Sequence, residues 1–234
     1  MSSATVKVLS SARSLYGVRV LIALKAKGVE YEFIDEPDLG NKSKLLLESN
    51  PVHKKVPVLF HNGKPICESL LIVQYIDETW PSPADKGFLP QDPYKRALAR
   101  FWADYVDKKV FEGCVLIIKN AEGELMEQGR RVVRESMVVL DGALHGVFGS
   151  GPYFGGEHIN LVDIALGSNL CLIETIETLG NFKCLDENIC PHLYAWAKAV
   201  AQYPAFKEGL ATAPSEKLLE GVREMRKTLF GLVE

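Results

Sequence analysis

The rhythm of polar and apolar residues changes near Trp80. Before it, short apolar runs alternate with helical stripes. Val6-Lys7-Val8-Leu9 reads as a first strand, and Val18, Leu21 and Ile22 with Lys25-Ala26-Lys27-Gly28 as a helix that starts near Ser14 and ends on cations and a glycine. Tyr31-Glu32-Phe33-Ile34 reads as a second strand, and Lys44-Leu45-Leu46-Leu47 as a short helical turn before Asn50-Pro51. The stretch from Asn50 to Ser69 is the densest in signals. Val58-Leu59-Phe60 is too short for a core helix, Asn62-Gly63 suits the positive φ angles of a tight hairpin, and Pro65-Ile66-Cys67 should pair back antiparallel. Pro57 falls at the start of that strand, where a missing ladder donor is tolerated. A cis Val56-Pro57 bond would aim the Val56 backbone outward. Ser69 is placed to accept a hydrogen bond from the first free amides of an apolar-periodic helix that includes Leu70 to Ile76.

The element order is therefore βαβαββα. A right-handed crossover makes the first two strands parallel and leaves the hairpin to complete a mixed sheet, which describes a thioredoxin-like domain. Pro81, Pro83, Gly87, Pro90 and Pro93 then crowd a stretch that cannot continue a helix. Beyond it the period is helical almost throughout: Tyr94 to about Ile118, Leu125 to about Val147, Leu161 to Leu179, Leu193 to Gln202, and a polar helix from Ser215 to Phe230. The expected fold class is α/β plus all-α. A thioredoxin-like domain covers residues 1–80, a linker 81–93 and an all-helical domain 94–234.

Composition narrows the functional class. The 234 residues are 47% hydrophobic and 24% charged, ordinary for a soluble globular protein, and the formal net charge of -3 gives no field to gather nucleic acid or an anionic membrane. Lys7, Arg13, Arg19 and Lys25 interrupt the N-terminal apolar residues, and no segment reaches the ~20 apolar residues of a membrane span, so a cytoplasmic protein is expected. Five cysteines, widely spaced and without a C-x-x-C pair, suggest neither a disulfide framework nor a zinc site. The five histidines show no metal-ligand spacing. The glycine-rich stretch from Phe148 to Gly156 lacks a Gly-Lys-Ser/Thr ending and reads as a loop between helices. Asn160 and Asp163 have capping-box spacing and read as folding information for a buried helix.

Two places can carry chemistry. Ser14, at the amino end of a helix, can be an ordinary N-cap, or it can donate a hydrogen bond to a bound thiolate and favour its ionisation; position alone leaves both open. Glu68 and Ser69, with free helix amides and the bent edge at Val56-Pro57, can bind a carboxylate and an extended peptide-like ligand, or simply serve the helix start. Lys42, Lys54 and Lys55 can meet a second carboxylate or be solvated.

The run NPVHKKVPVLFHNGKPICES, the ending YIDETW, the segment FWADYVDKK, the PYFGG turn, LVDIAL and CPHLYAWAK, in that order, resemble the plant tau class of glutathione transferases. The resemblance runs from about Val6 to the last helix. It implies a homodimer whose N-terminal domain binds glutathione as cosubstrate, with no metal and no other cofactor, and whose helical domain helps bind a small hydrophobic electrophile. Carried onto matching positions, it implies that Ser14 donates to the glutathione sulfur and that Lys42 and Lys55 face the glycyl carboxylate. Val56 pairs with the cysteinyl backbone, and Glu68 with Ser69 holds the γ-glutamyl end. The family's Trp-x-Ser-Pro-aromatic reads Ala12-Arg13-Ser14-Leu15-Tyr16 here. Positions of the family's electrophile pocket fall on Phe111, Val115, Ile118 and Leu172, an aliphatic and less aromatic set. The implied activity is conjugation of glutathione to hydrophobic electrophiles, with peroxidase activity toward organic hydroperoxides as a companion. The rival is a poorly catalytic ligand carrier on the same fold. A thiol-disulfide or dehydroascorbate reductase would need a cysteine where Ser14 stands.

Overall fold

A computed structural model describes residues 5–83, 86–120 and 122–230 of the chain. The first strand, β1 (Val6–Ser10), is buried along nearly its whole length, as a central strand must be. It leads to α1 (Leu15–Ala26), capped by Ser14, whose Oγ accepts from the Gly17 amide at 3.1 Å. Nine residues of α1 are buried, so it is apolar nearly all round; it is packed between other elements instead of lying on the surface. The second strand, β2 (Glu32–Asp35), lies one residue later than its pattern suggests and runs parallel to β1. Next come α2 (Lys44–Ser49), β3 (Val58–His61), β4 (Lys64–Cys67) and α3 (Ser69–Thr79). The sheet order is β2-β1-β3-β4, with β3 antiparallel to both its neighbours. Asn62 and Gly63 both take positive φ at the hairpin, as the dipeptide predicts. Val8 and Leu59 face the main core, whereas Leu9 and Val58 join Leu46 of α2 in a small cluster of their own. The period of two along each strand separates them.

The helical part comprises α4 (Pro93–Tyr105), α5 (Phe111–Lys119), α6 (Glu124–Gly146), α7 (Leu161–Gly167), α8 (Leu170–Gly180), α9 (Pro191–Gln202), α10 (Pro204–Leu210) and α11 (Ser215–Phe230). The helix expected from Tyr94 to Ile118 is continuous but widens through a π segment, Val106–Val110, where the Phe111 amide donates to the Val106 carbonyl. The single helix expected from Leu161 to Leu179 is broken. The Ala165 carbonyl, which would accept the Asn169 amide in an unbroken helix, instead accepts Ser168 Oγ at 3.0 Å, Asn169 Nδ2 at 2.8 Å and Arg19 Nη2 at 3.2 Å. Side chains thus take over one rung of the ladder, and the Asn169 amide turns to Leu166. The unforeseen α10 begins where Pro204 ends α9 and restarts a helix as its first residue.

Between Thr79 and Pro93 the chain is stitched to both sides. Asp77 of α3 accepts the Phe88 and Leu89 amides at 2.9 and 3.0 Å and pairs with Lys27 at 2.6 Å; the Lys27 side chain is buried and lies over the Phe88 ring. The Phe88 carbonyl in turn accepts the amide of Leu161, the first residue of α7.

The Asn160–Asp163 capping box forms as its spacing predicts. Asn160 Oδ1 accepts the Val162 amide at 2.7 Å, and Asp163 Oδ2 accepts the Asn160 amide at 2.7 Å. Asp163 Oδ1 also accepts the Phe154 amide and the Trp196 indole N–H, at 3.0 and 2.7 Å. Complete burial pushes the Asp163 carboxyl up to about 6, against the pull of these donors. Between pH 4 and 6 the native protein then holds a proton that the unfolded chain has released, so this group's contribution to stability falls as pH rises through that window. The unfolding free energy of wild type relative to Asp163→Asn should drop by ~2–3 kcal/mol between pH 4 and 7 in urea titrations. A pH-independent difference would show that Asp163 does not titrate there.

Candidate functional site

The predicted chemistry gathers beside the N-terminus of α3, in a cleft of about 440 Å³. Lys55, Val56 and Pro57 border it from the loop before β3; Glu68, Ser69, Leu70 and Leu71 from the start of α3; Tyr16 from α1; and Asp104 and Asp107 from α4 and the π segment. The Val56-Pro57 peptide is cis. Buried Asn50 sets the path of this loop: its Nδ2 donates to the Lys55 carbonyl at 2.9 Å and its Oδ1 accepts the His53 amide at 3.1 Å. A larger open cleft of about 1020 Å³ lies between the segment after α3, the start of α4 and the glycine-rich loop. It holds none of the predicted binding residues, so the smaller cleft is the one to which chemistry points.

Ser69 is the first residue of α3, not its cap, which corrects the expectation from its sequence position. Glu68 occupies the cap position with φ +70° and makes no capping hydrogen bond. Holding a residue other than glycine there costs about 1–3 kcal/mol and leaves the first α3 amides without a side-chain partner. The Ser69 hydroxyl is instead turned toward Arg19 Nη1, at 3.4 Å.

Arg19 is the largest feature the sequence reading missed. It is only 1% exposed, yet it pairs with both oxygens of Asp107, at 2.9 and 2.5 Å. Its remaining donors reach Ser168 Oγ and the Ala165 carbonyl, and its guanidinium lies 4.8 Å from the centre of the Tyr16 ring. Arg19 and Asp107 are 88 positions apart, and no local pattern joins them.

Ser14 and Lys42 do not border the cleft. Ser14 is 8% exposed at the head of α1, and among the described residues no acceptor takes its hydroxyl proton. Lys42 is half-buried just before α2. Phe111, Val115 and Ile118 lie half-buried along α5, and Phe111 meets Tyr16 edge-on at 5.3 Å between centroids. Leu172 is 3% exposed within the main core, so it cannot touch an electrophile unless that core opens; this corrects its expected place in the pocket. The end of α5 is held by Arg226 of α11, which donates to the carbonyls of Ile117, Ile118 and Asn120. Among the described residues no helix is long and apolar enough to cross a membrane.

A mixed four-stranded sheet of this order, a helix N-terminus beside a cis-proline edge and a helical C-terminal part define a cytosolic glutathione transferase fold. The family described as glutathione S-transferase, N-terminal domain, matches residues 4–78. Glutathione S-transferase U28 of Arabidopsis thaliana is 47% identical over 229 residues, covering 97% of this chain and 96% of its own. The structure of a tau class glutathione S-transferase from mango, Mangifera indica, superposes with a TM-score of 0.87 at 43% identity, covering 94% of this chain and 98% of its own. A rice glutathione S-transferase solved in complex with glutathione gives 0.86 at 35% identity, covering 98% and 99%. The chain belongs to the plant tau class of glutathione S-transferases.

Removing the Asp107 carboxylate leaves a buried guanidinium without its counter-charge. Asp107→Ala should therefore lower the unfolding free energy by about 3–5 kcal/mol, measured in urea at pH 7. A loss below about 1 kcal/mol would show that the pair is solvated, as exposed salt bridges are.

Proposed function

We propose that the chain binds glutathione in the cleft at the start of α3 and transfers its thiolate to small hydrophobic electrophiles. The observation that carries this reading is one charge pattern in one place. Ser69 at the uncapped start of α3, Glu68, Val56 before the cis proline and Lys55 all border the same cleft. A γ-glutamyl tripeptide needs an acceptor for its ammonium, donors for two carboxylates and a backbone edge for the residue between. Glu68, on the same cleft as Asp104, serves the ammonium, and the α3 amides with the Ser69 hydroxyl serve the adjacent carboxylate. Val56 pairs with the cysteinyl backbone, and Lys55, with Lys42 from the approach to α2, offsets the glycyl carboxylate. Phe111, Val115 and Ile118 of α5 form the apolar wall for the electrophile.

The sulfur is activated by Ser14. Its oxygen accepts from Gly17, which leaves the hydroxyl proton to donate to a thiolate at the positive end of α1. Lowering a thiol pKa of ~8.5 by ~2 units raises the thiolate from a few per cent to a majority at pH 7. The serine stays neutral; the thiolate attacks carbon directly, with no covalent enzyme intermediate. The same thiolate can attack the outer oxygen of an organic hydroperoxide, breaking the O–O bond; the alkoxide takes a proton from solvent and leaves as the alcohol, and the glutathione sulfenic acid formed reacts with a second glutathione to give the disulfide and water. Ser14→Ala should lower kcat/KM for a generic activated aryl halide by roughly 10²-fold or more while glutathione binding, read by titration, persists. The burial of Ser14 outside the cleft favours one second reading, a ligand carrier with weak turnover. Bound glutathione with no turnover in wild type and variant alike would select it.

The active form is a cytoplasmic homodimer. Tyr94, Ala97 and Phe101 share one face of α4, where Arg100 bonds Gln74 of the neighbouring α3, and Leu71 lies on the same side of α3. Tyr94, Phe101 and Leu71 are 72%, 58% and 58% exposed, an apolar face that a second copy would cover. Phe101→Asp should shift the light-scattering mass at micromolar concentration from two chains to one. An unchanged mass would move the interface elsewhere.

A further inference from the structure

The cleft has a second hydroxyl, on Tyr16, to which the reading above gives no task. Tyr16 borders the cleft, whereas Ser14 does not. Its ring is fixed from two sides, edge-on against Phe111 and under the Arg19 guanidinium, so its orientation is set by packing. None of the described residues accepts its hydroxyl proton within hydrogen-bond distance, although Asp107 and Glu68 are close enough to act on it. A half-buried donor that is held in place and unspent is the arrangement that stabilises charge developing on a ligand. Phe111, which touches it, stands at the head of the proposed electrophile wall.

Resting on the conjugation reading, we propose that Tyr16 is a further catalytic and specificity-determining residue. Its phenol donates a hydrogen bond to the oxygen of an α,β-unsaturated carbonyl, and it is this class of electrophile that the cleft favours. In the step, the glutathione thiolate, whose proton has already left to solvent, forms a bond to the β-carbon. The C=C π pair moves to become the enolate, whose negative charge falls on the oxygen facing Tyr16. Solvent then returns one proton to the α-carbon, and the product is a saturated thioether with no leaving group. The tyrosine does not ionise in this scheme. Burial first, and Asp107 next, push its phenol up to about 12, so it remains a donor at every pH at which the thiolate is active.

The test is the ratio of kcat/KM for a trans-2-alkenal to kcat/KM for a benzyl halide, which places no charge on an oxygen. It is measured with saturating glutathione in wild type, Tyr16→Phe and Ser14→Ala. Phenylalanine keeps the ring contacts to Phe111 and Arg19, and equal urea midpoints would show that it does. Tyr16→Phe should lower the alkenal-to-halide ratio by roughly 10- to 100-fold, the effect of removing one oxyanion donor from a partly exposed site. An unchanged ratio, or no wild-type turnover of the alkenal, overturns the proposal. Ser14→Ala should depress both substrates together and leave the ratio as in wild type. If it depresses neither, the serine-activated reading fails by itself, while a ratio that still depends on Tyr16 stands.

Discussion

The buried pairing of Arg19 with Asp107 is the constraint from which the rest of the site follows. A guanidinium 1% exposed in the middle of α1 cannot remain there without a counter-charge and an acceptor for each donor. Those partners come from four elements: Asp107 from the π segment, Ser69 from α3, Ala165 from α7, and Ser168 from the break after it. Such a pair need not add net stability, because desolvation offsets much of its attraction. What it adds is a single admissible arrangement. Elements that could slide over one another on apolar contacts alone are fixed by donors with set directions.

Two local irregularities make sense in that frame. The π segment widens the helix between α4 and α5, so the residues on either side of it present different faces than an unbroken α-helix would give. Asp107 then reaches Arg19, and Phe111, four residues on, reaches Tyr16. The break between α7 and α8 arises from the other end of the same network, since the carbonyl that Arg19 uses is withdrawn from the helix ladder. Glu68 shows a third form of the same economy. Its positive φ keeps its carboxylate at the cleft, where a cap of ordinary geometry would have spent a side-chain oxygen on the α3 amides.

What the sequence made legible were the features whose causes lie within a few residues. Asn62-Gly63 needs nothing distant to form its turn, Asn160 and Asp163 cap a helix three residues long in reach, and the prolines after Trp80 end a helix by their own chemistry. The loop and helix start that hold Lys55, Val56, Glu68 and Ser69 belong to this group, which is why they could be named together and are found on one cleft. The misread features depend on partners far along the chain. Nothing near Ser69 in the sequence announces Arg19, so its position reads as a cap's. The period from Leu161 runs on unbroken in the sequence because the side chain that helps to break the helix lies 146 positions away. Leu172 matches a pocket position of the family, but the turn at Ser168 and Asn169 sets its face toward the core.

The stitch at Lys27, Asp77 and Phe88 carries the argument to the cleft itself. Lys27 follows α1, Asp77 lies near the end of α3, and Phe88 hands its carbonyl to the first residue of α7. The far ends of α1 and α3 are thus tied to the helical part there, while Arg19, in the middle of α1, ties that helix and the start of α3 to Asp107 and Ala165. Two fastenings spaced along the same two helices resist rotation in a way that one cannot. The wall that carries Glu68 and Ser69 and the wall that carries Asp107 and Phe111 are therefore joined through the same two helices. Walls joined in this way have their spacing set in folding, so a group that bridges them needs less ordering when it binds.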